Sequence, residues 1–268
     1  VPDTTDQFLM CSEPTMPLSK TWSNTWSIGL LAATLVLAAQ TAGAAASSCS
    51  AHSAATVTPV VELYTSEGCN SCPPADKWLS RAKSEPAVVA LAFHVDYWDR
   101  LGWKDRFASP AFTQRQTQQL RPSGARFSYT PQVLIDGADR PDWPSATLAP
   151  RARAVATVDA QLVRDGRHLS ASVLPLPGAP ARLAAYWAIT EQDHVSAVKA
   201  GENQGVTLHH DFVVREYQSV AAWTPSPTAA ALSFDLPSAD DPAHPRQVNL
   251  VIVNADTGRP VQAVNLGC

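Results

Sequence analysis

The sequence predicts an α/β domain followed by an antiparallel β-sandwich-like domain, and three observations carry that expectation. Between residues 57 and 155, short apolar runs alternate with segments of helical spacing, the pattern of helices layered on a central sheet. From residue 156 to 268, about seven β-rich runs are separated by Gly, Pro, Asp and Asn, as in a sandwich. Pro outnumbers Gly by 22 to 12, which favours turns and strand ends over a helical bundle.

In chain order, Val60–Tyr64 (VVELY) is a β-rich run and Thr65–Asn70 a turn. Cys72–Lys83 reads as a helix opened by Pro73 and Pro74, because a first helical turn needs no backbone N–H there. Val88–Val95 is almost continuously apolar, as expected of a strand buried on both faces. Phe107–Leu120 has helical spacing, Gln132–Ile135 is a strand, Asp136-Gly137 a hairpin turn, and Ser145–Val155 a closing helix. In the second half, Thr157–Val163, His168–Leu174, Arg182–Glu191, Val206–Val220, Ala231–Leu236, Gln247–Asn254 and Val261–Leu266 read as strands. Asp165-Gly166 marks a hairpin between the first two.

The 268 residues are 45% hydrophobic and 16% charged, with formal net charge −4, enough for a sizeable core and too apolar for general disorder. With no Lys/Arg block and a pI near 6.0, nucleic acid is not an expected partner. Residues 1–46 read as a leader with a signal peptide: Lys20 precedes the apolar Ile28–Ala39, and Thr41–Ala46 supply small residues for cleavage. The apolar run is short for a membrane span, so none is expected after cleavage; an uncleaved N-terminal anchor is the competing reading. Losing the leader removes three acids and one base, moving the formal charge from −4 to −2. A periplasmic or secreted location follows.

Cys11 leaves with the leader. Of the remaining four cysteines, Cys49 and Cys268 can tie the chain ends in an oxidising compartment, the alternatives being free thiols or a lipid attached to Cys49. Cys69-Asn70-Ser71-Cys72 form a C-x-x-C unit between a strand and a helix. That spacing brings two sulfurs together at a helix start, where thiolate is favoured. Cys69 would lead at the exposed end and Cys72 would resolve the mixed disulfide. A static disulfide and a metal site are the other readings of the same spacing. Thr130-Pro131 opens a strand, a place where a cis peptide is used, although an ordinary trans bond also fits. At the carboxyl end of the second strand, His94 and Asp96 are placed to handle protons beside the cysteines, or Asp96 belongs to a packed aromatic loop with Tyr97, Trp98 and Trp103. Glu62 interrupts an apolar strand. If buried, it would have to be paired or protonated and could accept the Cys72 proton; on an edge strand it would face water.

Cys-x-x-Cys at a strand–helix junction, with Thr-Pro before a later strand, resembles the thioredoxin superfamily. The string Glu62–Asp76 (ELYTSEGCNSCPPAD), with His94–Asp99 (HVDYWD), Gly102-Trp103, Arg115-Gln116, Tyr129–Gln132 (YTPQ), Gly201-Glu202-Asn203 and Leu208–Arg215 (LHHDFVVR), is similar to domain-of-unknown-function family 1223. That resemblance implies an exported bacterial protein with a thioredoxin-like domain over residues 57–155. Unlike thioredoxins, the chain has Gly68 where a Trp precedes the first cysteine, and its prolines follow Cys72.

The expected function is thiol–disulfide exchange, with Cys69 as nucleophile, Cys72 resolving, Pro131 shaping the site and Glu62 or Asp96 moving protons. No cofactor is expected. The partners would be a substrate protein or small thiol and a separate redox partner. The alternatives are a binding module stapled by the Cys69–Cys72 disulfide and a metallochaperone using Cys69, Cys72 and His94. Glu202, Asn203, His209, His210 and Arg215 form a polar cluster expected to buttress the junction of the halves, the other reading being that Arg215 and the histidines reach over the thiol site or bind a partner.

Overall fold

Alternating and fully apolar runs make strand the dominant structure. A computed structural model describes residues 48–85, 87–148 and 152–268; the leader expected over residues 1–46 lies outside them. The first half contributes β1 (Cys49–His52), β2 (Val60–Thr65), α1 (Pro73–Leu79), β3 (Val89–His94), α2 (Pro110–Ser123), β4 (Gln132–Ile135) and β5 (Ala138–Asp139). The second half is built from β6 (Val158–Asp165), β7 (His168–Pro175), β8 (Leu183–Glu191), β9 (His194–Ala197), β10 (Thr207–His210), β11 (Val213–Trp223), β12 (Ala230–Asp235), β13 (Arg246–Asn254) and β14 (Pro260–Leu266).

These strands form an eight-stranded mixed sheet, β14-β13-β8-β11-β3-β2-β4-β5, a four-stranded antiparallel sheet, β1-β6-β7-β12, and a two-stranded ribbon of β9 and β10. In the large sheet, β3 is parallel to both β2 and β11 and the other pairs are antiparallel. Strands from both sides of residue 156 therefore share one sheet. Their meeting line is short: Val213 lies opposite Ala92, and Ala92 N–H donates to the Phe212 carbonyl at 2.8 Å.

Period-two alternation sorts the core into layers. Val158, Ala160 and Leu162 of β6, with Leu169, Ala171 and Val173 of β7, pack on Leu183, Ala185, Trp187 and Ile189 of β8 and on Val248, Leu250 and Ile252 of β13. In β2, Val61 and Leu63 pack with Ala75 and Leu79 of α1. Val60 and Tyr64 belong to the opposite layer, with Phe93 of β3 and Phe112 of α2. Ser109 caps α2 by accepting the Ala111 N–H at 3.3 Å, Pro110 fills its first position, and Gly124 ends it at φ +84°.

Several elements differ from the sequence expectation. The closing helix over 145–155 is absent from its described residues: a single 3₁₀ turn, Trp143–Ser145, ends at Ala146, and Val155 forms an isolated bridge with Thr56. Pro150 would have stood inside that helix, where it removes a hydrogen bond and clashes with the preceding turn. The helix after Cys72 continues from Leu79 as a 3₁₀ segment through Ser84. The run 206–220 divides at Asp211-Phe212, where Phe212 has φ +55° and donates its N–H to Gln192 Oε1 at 3.1 Å.

Candidate functional site

At the carboxyl end of β2 the chain turns tightly. Cys69 N–H donates to the Ser66 carbonyl and Cys72 N–H to that of Cys69, both at 3.2 Å, and the Cys72 carbonyl then accepts from Ala75 and Asp76 to start α1. Cys69 and Cys72 are joined as a disulfide, and so are Cys49 and Cys268. The Thr130–Pro131 peptide is cis. Just before it, Thr130 Oγ1 donates to Cys69 Sγ at 3.3 Å while accepting from Trp98 Nε1 at 2.8 Å. Ser71 Oγ also lies 3.3 Å from that sulfur. Gly68 is where Trp98 crosses the loop: a Cβ there would lie 3.0 Å from Trp98 Cβ.

Cys69 does not stand at an exposed end. Both cysteines are 0% exposed, and only Asn70 and Ser71 of the loop reach the surface. The cover comes from the second half of the chain. Asn203 Nδ2 donates to the carbonyls of Glu67 (2.8 Å) and Cys69 (3.0 Å), and Glu202 Oε2 accepts the Asn70 N–H at 3.1 Å. The residues that meet the thiol loop are thus Glu202 and Asn203, for which the sequence suggested only a buttressing role.

Glu62 is buried, as its place in an apolar strand suggested, but it belongs to the face carrying Val60 and Tyr64, opposite the face on which α1 packs. Arg115 Nη2 donates to its Oε1 at 2.5 Å, Tyr186 Oη to the same oxygen at 2.6 Å, and Tyr64 Oη to Oε2 at 3.0 Å. Burial and the Glu62 charge push both phenols well above the usual tyrosine range. Burial would lower the Arg115 guanidinium, but Glu62 raises it further. Arg115, Tyr186 and Tyr64 thus give the buried Glu62 carboxyl three donors, on the face away from α1. Asp96 is half-buried and tied to α2: Thr113 Oγ1 donates to its Oδ1 at 2.6 Å and accepts its N–H at 3.2 Å. Pro131 is the predicted residue whose peptide adjoins the disulfide.

Beside the thiol loop lies a buried group that the sequence reading did not assemble: Glu67, Asp76, His94, Asp105 and His210. His94 Nδ1 and Asp105 Oδ2 are 2.7 Å apart, Asp105 Oδ2 also accepts the Glu67 N–H at 2.9 Å, and Trp103 Nε1 donates to Glu67 Oε2 at 2.7 Å. His210 places Nδ1 3.7 Å from Asp76 Oδ1 and Nε2 3.5 Å from Glu67 Oε1. Ligating atoms of Asp76, His94 and His210 all lie within 4.8 Å of one another. Burial would raise Asp105, but His94 draws it down to about 2. Burial would lower His210, but Asp76 and Glu67 hold it up at about 9. Glu67 is lowered, burial being outweighed chiefly by His210. The available signal was the alternation in β10, which turns Leu208 and His210 inward and Thr207 and His209 outward. Arg215 instead meets Glu191 Oε2 at 3.3 Å and lies over the Phe107 ring.

Residues 60–254 match the family described as protein of unknown function (DUF1223). Among solved structures, the crystal structure of a protein from Agrobacterium tumefaciens is 26% identical, with TM-score 0.55, covering 79% of this chain and 94% of its own. HBP35 of Porphyromonas gingivalis is 13% identical with TM-score 0.55, covering 80% of this chain and 76% of its own, a likeness of fold alone. A search of curated proteins finds no match. The family match takes in the thiol loop, both helices and most of the second half, and this chain belongs to the DUF1223 family.

Proposed function

We propose that this chain is an exported thiol–disulfide oxidoreductase acting through Cys69 and Cys72 in a thioredoxin-like setting. The observation that carries the reading is the Thr130 hydroxyl donating to Cys69 Sγ beside the cis-proline. A donor aimed at a sulfur stabilises the thiolate that exchange requires. The strand order β3-β2-β4-β5, with β2 parallel to β3 and the next two pairs antiparallel, supports the thioredoxin-like setting. Two disulfides suit an oxidising compartment. No helix among the described residues is long and apolar enough to cross a membrane.

In the oxidising direction, a substrate thiolate attacks Cys69 Sγ and forms a mixed disulfide, while Cys72 leaves as thiolate. A second substrate thiolate then attacks the substrate sulfur of that bond and expels Cys69 as thiolate. The substrate loses two electrons, and the Cys69–Cys72 pair gains them. The reducing direction runs the same steps backwards.

The burial of both sulfurs favours a second reading, a stapled binding module. Equilibration in glutathione buffers, with alkylation and mass spectrometry resolving the two cysteine pairs separately, decides between them. An oxidoreductase pair opens between about −120 and −270 mV, whereas a staple stays closed below about −300 mV.

A further inference from the structure

We propose that Asp76, His94 and His210 bind one divalent first-row transition-metal ion, in a site of two imidazoles and one carboxylate beside the thiol loop. With Nδ1 turned to Asp105, a neutral His94 gives its N–H there and keeps the Nε2 lone pair for a metal, and that nitrogen is buried without a hydrogen-bond partner. Both nitrogens of His210 and Oε1 of Glu67 are likewise buried without a hydrogen bond, facing one another or Asp76 at 3.5–3.7 Å, and an ion bound here would displace the His210 proton. Orphaned polar atoms are costly in a core and call for an occupant. The 3.7 Å between His210 Nδ1 and Asp76 Oδ1 is too long for a hydrogen bond. It is close to the spacing of about 3.3–3.5 Å that tetrahedral bonds of about 2.0–2.2 Å impose on two ligands of one ion.

The outer partners point the same way. Metal-binding side chains are oriented through the atoms they do not give to the metal. Asp105 faces His94 Nδ1, Glu67 faces His210 Nε2, and Thr65 Oγ1 donates to Asp76 Oδ2 at 2.9 Å. Asp76 and His210 also line a neighbouring cleft of 430 Å³. Nitrogen and oxygen donors without thiolate suit Zn²⁺, Co²⁺, Fe²⁺ or Ni²⁺. Three protein ligands leave a coordination position for water or another small ligand.

The test uses the chain with both disulfides closed, stripped with chelator and titrated with Zn²⁺ by calorimetry and with Co²⁺ by absorption. One ion per chain, cobalt d–d bands without a sulfur charge-transfer band, and a Zn²⁺-dependent rise in Tm are expected. H94Q and H210Q should weaken binding at least about 100-fold and D105N about 10- to 100-fold; H209Q, on the outward face of β10, should bind as the parent does. D105N retains all three ligands and keeps the test decisive if the ligand variants do not fold. Folded parent protein that takes up no stoichiometric metal would make the cluster an imidazolium–carboxylate network and overturn the proposal. So would a sulfur charge-transfer band, or unchanged affinity in folded H94Q, H210Q or D105N. Because the disulfide stays closed throughout, failure here is distinct from failure of the thiol-exchange reading, which is decided by the Cys69–Cys72 potential.

Discussion

Two side chains, Thr130 and Asn203, set the behaviour of the thiol loop. Thr130→Val removes the donor on Cys69 Sγ and should raise the thiolate pKa of the reduced protein by about one unit, read by thiolate absorbance. Asn203→Ala frees the two carbonyls that hold the cover down and should speed reduction of the Cys69–Cys72 disulfide by dithiothreitol; an unchanged rate would mean that Asn203 does not limit access. Glu62 belongs to stability instead. Arg115→Met strands a buried carboxylate and should cost about 3–5 kcal/mol in urea unfolding, most of it recovered in Glu62→Gln/Arg115→Met. His194 titrates in the opposite sense from His210. Burial and the stacked His244 hold it down at about 4, against 6.5 for a free imidazole, with Glu191 opposing and Arg215 adding to the fall. The unfolded chain therefore takes up the proton first, so this contribution to stability is whole above pH 6.5 and lost as pH falls toward 4. His194→Gln should flatten that loss, seen as a smaller difference in urea midpoint between pH 7 and pH 5.

At the scale of elements, most of the strands were legible because their burial follows the sequence alternation. β6 reads buried at every second residue, and β2 and β3 are apolar runs buried throughout. α1 announced itself through Pro73 and Pro74 at its start and α2 through helical spacing alone, the Ser109-Pro110 start and the Gly124 end of α2 having gone unread. What was not legible depended on partners distant in sequence. β1 exists by pairing with β6 and β9 by pairing with β10, and neither β1 nor β9 carries an apolar run of its own, whereas β10 lies within the predicted strand 206–220, whose division at Asp211-Phe212 was not read. The thiol loop could be found because its residues are contiguous. The histidine–carboxylate cluster could not, because His210 reaches it from 134 residues beyond Asp76 and only the folded chain makes them neighbours. Turn chemistry permits a sharper comparison. Gly137 and Gly166 both have positive φ, but a Cβ at Gly137 would meet Pro260 Cδ at 3.1 Å while Gly166 faces open space. Gly166→Ala should cost about 1–2 kcal/mol from backbone strain alone, and Gly137→Ala measurably more.

At the scale of the molecule, the two disulfides do different work. The Cys49–Cys268 bond spans 219 residues and the Cys69–Cys72 bond three. Loop-closure entropy alone assigns about 5 kcal/mol to the long loop and about 2 to the short one. Cys49→Ser/Cys268→Ser should therefore lower the unfolding free energy far more than Cys69→Ser/Cys72→Ser. The shared eight-stranded sheet has a further consequence, for solubility. Divided at residue 156, the molecule would leave β3, with its run VALAFH, as a bare edge on one fragment and β11 as a bare edge on the other. Exposed apolar edges recruit strands from other chains. Fragment 57–155 made alone should collect in the insoluble fraction, and supplying fragment 156–268 in the same cell should bring it back into solution, each half acting as the other's chaperone.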